Sequence, residues 1–236
     1  MVNILGVKVN KLTMAQAVEK AESFFDGKPH MVVTPNPEII LDCKKDESLK
    51  NIINSSDMVL PDGIGVVIAS KILGDSVPER VPGFDFVCEL LKTDHTFYFF
   101  GGKPGVAEQA MENMRAKGVN VVGCHHGYFK DGEDGEIIED ITDKKPDVLV
   151  VCLGAPKQEK WIKQNIEKLN VPISIGAGGS LDVLAGVVER APEIYQKLCI
   201  EWLYRTLKEP KKRIPRIIKL PLFIIDVIFN GRKYKE

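Results

Sequence analysis

Short apolar runs at residues 31–33, 58–60, 96–100, 119–124, 147–153 and 173–178 alternate with stretches whose apolar residues return every three or four positions. Runs of that length predict buried strands, and the longer period predicts amphipathic helices. Thr13 is placed to cap a helix that turns Met14, Ala17, Val18, Ala21, Phe24 and Phe25 to one side. Further helices are predicted from Pro37, near residues 49–53, over 64–73 and 84–91, and through Val106, Ala110, Met111 and Met114. Two more are expected at Glu136 and from Pro156, the latter carrying Ile162, Ile166 and Leu169 inward. Strands alternating with helices in this way define an α/β fold, a mostly parallel sheet covered on both faces.

In an open parallel sheet, ligands bind outside the carboxyl ends of the strands, so the residue types that follow each strand matter most. After the first run comes Thr34-Pro35-Asn36-Pro37. Asn36 is a good helix cap, Pro37 suits the first helical position, and Pro35 holds Thr34 extended. The result is a rigid turn that offers a hydroxyl and a carboxamide at the sheet edge; a capped helix with no further duty explains it equally well. "LPDGIGVV" ends a run with Asp62 beside Gly63, a carboxylate next to an approachable backbone, although Asp-Gly is also an ordinary turn.

"FFGGKPG" sets Gly101 and Gly102 before a helix, which suits close approach to a phosphate, but lacks the full dinucleotide fingerprint and a Walker lysine. "LGAPKQEKW" puts Lys157 and Gln158 on a first helical turn, and "GAGGSLD" makes another glycine-rich helix entrance with Asp182 just inside. Taken singly, such glycines serve packing equally well. Taken together, the junctions predict a nucleotide or sugar-phosphate site.

The chain has 236 residues, 44% hydrophobic and 28% charged, enough for one large domain or one domain with an appendage. Its net charge of −1 gives no reason to expect nucleic acid as a partner. The balance is uneven, however. From Arg205 onward ten basic residues face three acids, so the tail stands near +7 and the rest near −8. Such a split points to an anionic partner for the tail. Five scattered cysteines without paired spacing read as free thiols in a reducing cytoplasm. No basic region leads into a long apolar run at the start, so no signal peptide is expected. The longest apolar candidate near the end, residues 220–229, is too short to span a bilayer and contains Pro221 and Asp226.

Several chemistries drop out. His30, His95, His125 and His126 show no metal-ligand spacing, and the adjacent pair reads as exposed loop. "KDGEDGE" reads as a solvated turn before the helix at Glu136, and no GxSxG marks a hydrolase elbow.

"TPNPEII", "LPDGIGVV", "ERVPGFDF", "LGAPKQEKW", "GAGGSLDVLAGVVERAP" and "IEWLYRTLKEPKKR" follow one another in the order found in the WecG/TagA/CpsF family of glycosyltransferases. The resemblance covers nearly the whole chain, from about Ile4 to the low 220s, and within the family it is greatest to the N-acetylmannosaminyltransferases of wall teichoic acid linkage-unit synthesis. It implies a Rossmann-like core over residues 1–198 and a C-terminal helical, basic and apolar appendage over 199–236 that helps complete the site at the membrane. It also implies metal-independent, inverting transfer of N-acetylmannosamine from its UDP donor to the 4-hydroxyl of N-acetylglucosamine on undecaprenyl diphosphate, in a β linkage. No cofactor is implied. Carried over by motif, Asp62 is the general base, and Thr34 and Asn36 line the catalytic pocket. Arg80 and Gln158 are substrate contacts, and Arg205 belongs to the appendage's contribution.

The residue chemistry agrees with this resemblance. Inverting transfer is a single displacement that needs one base, whereas glycosidases normally use a carboxyl pair. Without a metal, the charge growing on the leaving UDP needs arginines, lysines or helix N-termini, for which Arg80, Lys157, Arg190 and Arg205 are candidates. For Arg190 a plain structural ion pair is an equal reading. The tail's run "PKKRIPR" departs from the family's arginine-rich pattern, with lysines at 211 and 212 and Pro215. Lysine lacks arginine's bidentate grip on phosphate, so which of Lys212, Arg213 and Arg216 reach the diphosphate stays open. Large aliphatics between Ile214 and Phe229, edged by these cations, suit an anionic membrane surface on the cytoplasmic face; core-packing helices or a homo-oligomer contact remain open. Rival readings are a sister transferase using N-acetylmannosaminuronic acid or another UDP sugar, a non-catalytic nucleotide-binding regulator and, least supported, a dinucleotide-dependent dehydrogenase.

Overall fold

The computed structural model describes residues 1–130, 132–208, 210 and 217–234. Six parallel strands form the central sheet: β3 (His30–Val33), β4 (Met58–Val59), β5 (Phe97–Gly101), β6 (Val121–His125), β7 (Val148–Cys152) and β8 (Ile173–Gly176). Their order is β4-β3-β8-β7-β5-β6. The chain starts in the middle, builds outward to β4, crosses to the β5–β6 side and returns, so β3 and β8, far apart in sequence, lie side by side. An antiparallel hairpin precedes the sheet, β1 (Val2–Ile4) with β2 (Val7–Val9), turning through Leu5 and Gly6 at positive φ. Three-residue strands are too short for periodicity to reveal, which is why no strand was expected there.

Alternation along each strand divides the core. Met31 and Val33 face one apolar cluster and Val32 the other; Tyr98 and Phe100 oppose Phe97 and Phe99 in the same way. The first cluster is covered by α2 (Pro37–Cys43), α3 (Glu47–Asn54), α4 (Ile64–Ile72), α7 (Gly135–Lys144) and α8 (Lys157–Leu169). The second is covered by α1 (Met14–Glu22), α5 (Gly83–Leu90), α6 (Val106–Arg115) and α9 (Ser180–Leu184). Burial on both faces explains why the strands read as uninterrupted apolar runs. Thr13 caps α1 in a reciprocal capping box with Gln16, as the spacing predicts. Phe25 is a correction. The helix ends at Glu22, so Phe25 leaves the buried face, remains 37% exposed and stacks on His95 with ring centroids 4.3 Å apart.

After α10 (Glu193–Lys197) and α11 (Glu201–Lys208), α12 (Lys219–Asn230) packs against α2 and α4. Phe223 and Val227 are wholly buried in the first cluster, and Lys219 bonds Glu38 at 2.7 Å while Lys44 pairs with Asp226. The expected boundary at 198/199 thus precedes side chains that fill the core. The other side of α12 is apolar too, with Leu222, Ile225, Ile228 and Phe229 half or more exposed. Among the described residues no helix is long and apolar enough to cross a membrane.

Two outcomes follow from this packing. Phe223→Ala removes a fully buried ring and lowers unfolding free energy by about 3 kcal/mol or more, while Phe229→Ala, 76% exposed, changes it by under about 0.5 kcal/mol in urea titrations. The second concerns His30, whose ring stacks on Phe24 and lies 3.0 Å from Asp26 and 3.1 Å from Asp57. Burial opposes its charge, but the hydrogen bond to Asp26 and the adjacent Asp57 carboxylate outweigh burial and raise its pKa. A raised folded-state pKa stabilises below the unfolded value of about 6.5, and that contribution is lost as pH rises through the folded value. Melting scans therefore find His30→Gln less stable than wild type at about pH 5.5, with the gap closing by about pH 9.

Candidate active site

The carboxyl ends of β3, β4, β7 and β8 open into a cavity of about 590 Å³, within the range of small-molecule sites. Backbone and side-chain hydrogen bonds lock its floor. Asn36 Oδ1 accepts from the N–H groups of Glu38 and Ile39, at 3.0 and 3.1 Å, which fixes the entrance of α2 behind Pro37. Thr34 is buried, and its hydroxyl donates to the Gly176 carbonyl at 3.1 Å, tying the end of β3 to the end of β8. Leu60 N–H donates to Val33 and Val81 N–H to Pro61, so the β4 turn is anchored on both sides. Asp62 stands on that turn and lines the cavity. Gly63 follows it at φ 87°, a conformation other residues resist, and opens α4 directly behind the carboxylate.

Gln158 is 3% exposed on the first turn of α8. Its carbonyl accepts from Gly154 N–H at 3.2 Å and Gly178 N–H at 3.1 Å, joining the loops after β7 and β8. Its amide donates to Glu159 Oε1 at 2.9 Å. Glu159 is buried at the cationic end of α8; burial raises its carboxyl pKa, while the Gln158 bond and its own backbone N–H act in the opposite direction. The chemistry expected of Gln158 as a substrate contact therefore sits on a residue that also braces two loops of the cavity.

Part of the lining is charged. Arg80 Nη1 lies 3.3 Å from Glu201 Oε2 on α11, and Arg190 Nε lies 3.9 Å from Glu201 Oε1. Arg190 also pairs with Asp85 and stacks its guanidinium over Phe84, 4.9 Å from the ring centroid. Arg190 thus holds structural ion pairs and lines the cavity at once. Glu201, Asp85, Phe84 and Lys219 also border the cavity and were not anticipated. Asp85 and Phe84 stand in "ERVPGFDF" and Glu201 in "IEWLYR", but pairings across more than a hundred residues leave no local spacing to read.

Two expected contacts lie elsewhere. Gly102 is not among the residues that line the cavity; Gly101 lets β5 press on β7, where a Cβ would meet Cys152 O at 2.3 Å, and a Cβ at Gly102 would meet the Val106 side chain at 2.9 Å. Lys157 also lies outside the lining and places its ammonium over the Phe129 ring, 4.1 Å from the centroid. Arg205 falls on α11, while Arg213 and Arg216 lie outside the described residues. His125 ends β6 rather than lying in a loop, with its ring against His126. Among the described residues no group of three His, Cys, Asp or Glu side chains is arranged to hold a metal ion.

A doubly wound parallel sheet with a polar, arginine-bearing cleft at its carboxyl edge suits an enzyme acting on an anionic small molecule. The chain belongs to the glycosyltransferases of the WecG/TagA/CpsF family, whose model matches residues 2–236. It is 36% identical over 242 residues to proteins of Staphylococcus aureus strains MW2 and NCTC 8325, covering 100% of this chain and 95% of each relative. Both relatives are named N-acetylglucosaminyldiphosphoundecaprenol N-acetyl-beta-D-mannosaminyltransferase.

The double duty of Gln158 has a measurable consequence. Gln158→Leu leaves two backbone N–H groups without their acceptor and costs about 2 kcal/mol of unfolding free energy, read by urea titration, in addition to any effect on turnover.

Proposed function

We propose that this chain transfers N-acetylmannosamine from UDP-N-acetylmannosamine to the 4-hydroxyl of N-acetylglucosamine on undecaprenyl diphosphate, with inversion and without a metal, in wall teichoic acid linkage-unit synthesis. The observation that carries this reading is the placement of Asp62 on the same cavity as Arg80 and Arg190, in a chain similar over its full length to transferases of that name.

In this reading Asp62 takes the proton of the acceptor hydroxyl as that oxygen attacks the anomeric carbon, and the bond to UDP breaks on the opposite side of the sugar. One carboxylate suffices because no covalent sugar–enzyme intermediate forms. Negative charge moves onto the UDP oxygen as the bond breaks, and Arg80 and Arg190 are cationic groups of the same cavity that can receive it. Thr34 and Asn36 hold the turn that shapes the acceptor side of the pocket. The tail cations, among them Arg205, Arg213 and Arg216, supply positive charge suited to the lipid diphosphate.

The acceptor's polyprenyl chain lies in a bilayer, so the enzyme must work at its surface. The apolar outer side of α12, from Ile218 through Leu222 and Ile225 to Phe229, supports docking on the inner face of the membrane, next to a basic tail that suits anionic headgroups. A dimer through the same face is the competing use of it.

Asp62→Asn tests the base. With lipid-linked N-acetylglucosamine acceptor and excess EDTA, the variant loses about a thousandfold in product formation while its affinity for UDP, by calorimetry, stays within about twofold of wild type. A variant that keeps its rate removes Asp62 from the mechanism.

A further inference from the structure

Arg80 and Arg190 come from different segments, and α11 offers both of them a single carboxylate. Arg80 and Glu201 are each about 15% exposed in their side chains, at 16% and 15%, and their contact is a single 3.3 Å bond. Arg190 is less well satisfied. Its terminal nitrogen pairs with Asp85, but its Nε is buried with no hydrogen-bond partner, and the nearest oxygen of Glu201 stands 3.9 Å away. A buried guanidinium N–H without an acceptor is costly and needs a better anion than the one present. Glu201 therefore spans two guanidinium groups without satisfying either in full, and all three side chains border the same cavity.

We propose that Glu201 is a displaceable stand-in for the donor's diphosphate: the carboxylate neutralises Arg80 and Arg190 in the empty enzyme and yields them to the diphosphate when the nucleotide binds. The inference rests on the reading of this cavity as the nucleotide-sugar site and adds a coupling between donor and α11 to it. A diphosphate offers more charge and more acceptor oxygens than one carboxylate, and arginine binds phosphate bidentately, so the exchange runs toward the nucleotide. Because Glu201 is the first residue of α11, losing its partners loosens the start of that helix from the core wall. Donor binding is thereby linked to the position of the segment that carries Trp202 and Arg205. The reverse holds by the same linkage: whatever draws α11 away frees both arginines and tightens donor binding.

The sign of one substitution decides the matter. Glu201→Gln keeps the shape of the side chain and removes the competing charge. Titration calorimetry with UDP, and separately with inorganic pyrophosphate, is expected to give binding about fivefold tighter in the variant than in wild type. Binding that is unchanged or weaker shows Glu201 to be a fixed brace that orients the arginines, and overturns the proposal while leaving the nucleotide site intact. If neither protein binds either probe, the cavity is not a nucleotide-sugar site and both readings fall. Hydrogen exchange on the wild-type chain gives a second test that does not depend on the variant folding. UDP is expected to speed amide exchange across the first turn of α11, and exchange that is unchanged or slowed overturns the proposal.

Discussion

The site depends on a few buried polar groups that hold separate strand ends at fixed spacing. Thr34 donates across from β3 to the end of β8, and Gln158 accepts from the loops after β7 and β8. The loops are rich in glycine and could take many conformations; the side chains that close them are buried, where an unmade hydrogen bond is expensive. The geometry of the cavity is therefore set by the fold's own polar bonds before any ligand arrives. Asp62 can stand at a fixed place because the turn beneath it is tied to both β3 and the Val81 segment.

Electrostatics then characterise the cavity. Asp62 lines it together with Arg80 and Arg190, the two arginines with their carboxylate partners. A carboxylate and cationic groups on one cavity suit a displacement with an anionic leaving group. α12 closes the assembly from outside. Two of its residues fill the core, while its remaining apolar residues face outward. A segment that is both a core element and an apolar surface links the stability of the fold to whatever that surface meets.

Much of the scaffold could be read from the residues. The six sheet strands were visible because a parallel sheet buried on both faces is apolar without interruption, and the capped entrances of α1 and α2 were visible because capping is local chemistry. Asp62, Asn36 and Thr34 stand out in the sequence through rigid turns at strand ends, and all three line the cavity. Gly102 and Lys157 resemble ligand groups in the sequence because they precede or open helices; neither is in the cavity lining, and in the fold Gly101 meets the neighbouring strand, Gly102 meets Val106 and Lys157 lies over Phe129. The Arg80–Glu201 and Arg190–Asp85 pairs leave no trace in local spacing, since a pairing over a hundred residues is fixed by topology. The hairpin of β1 and β2 was too short to show a period.

The most direct test of the account is acceptor-dependent release of UDP from UDP-N-acetylmannosamine by the wild-type chain, with undecaprenyl-diphosphate-linked N-acetylglucosamine and excess EDTA, followed by NMR assignment of the new anomeric centre. Turnover is expected to require the acceptor, to persist in EDTA and to yield the β-linked product. Turnover that needs added divalent metal would contradict the metal-free stabilisation of the leaving UDP, and an α-linked product would contradict the single displacement proposed for this cavity.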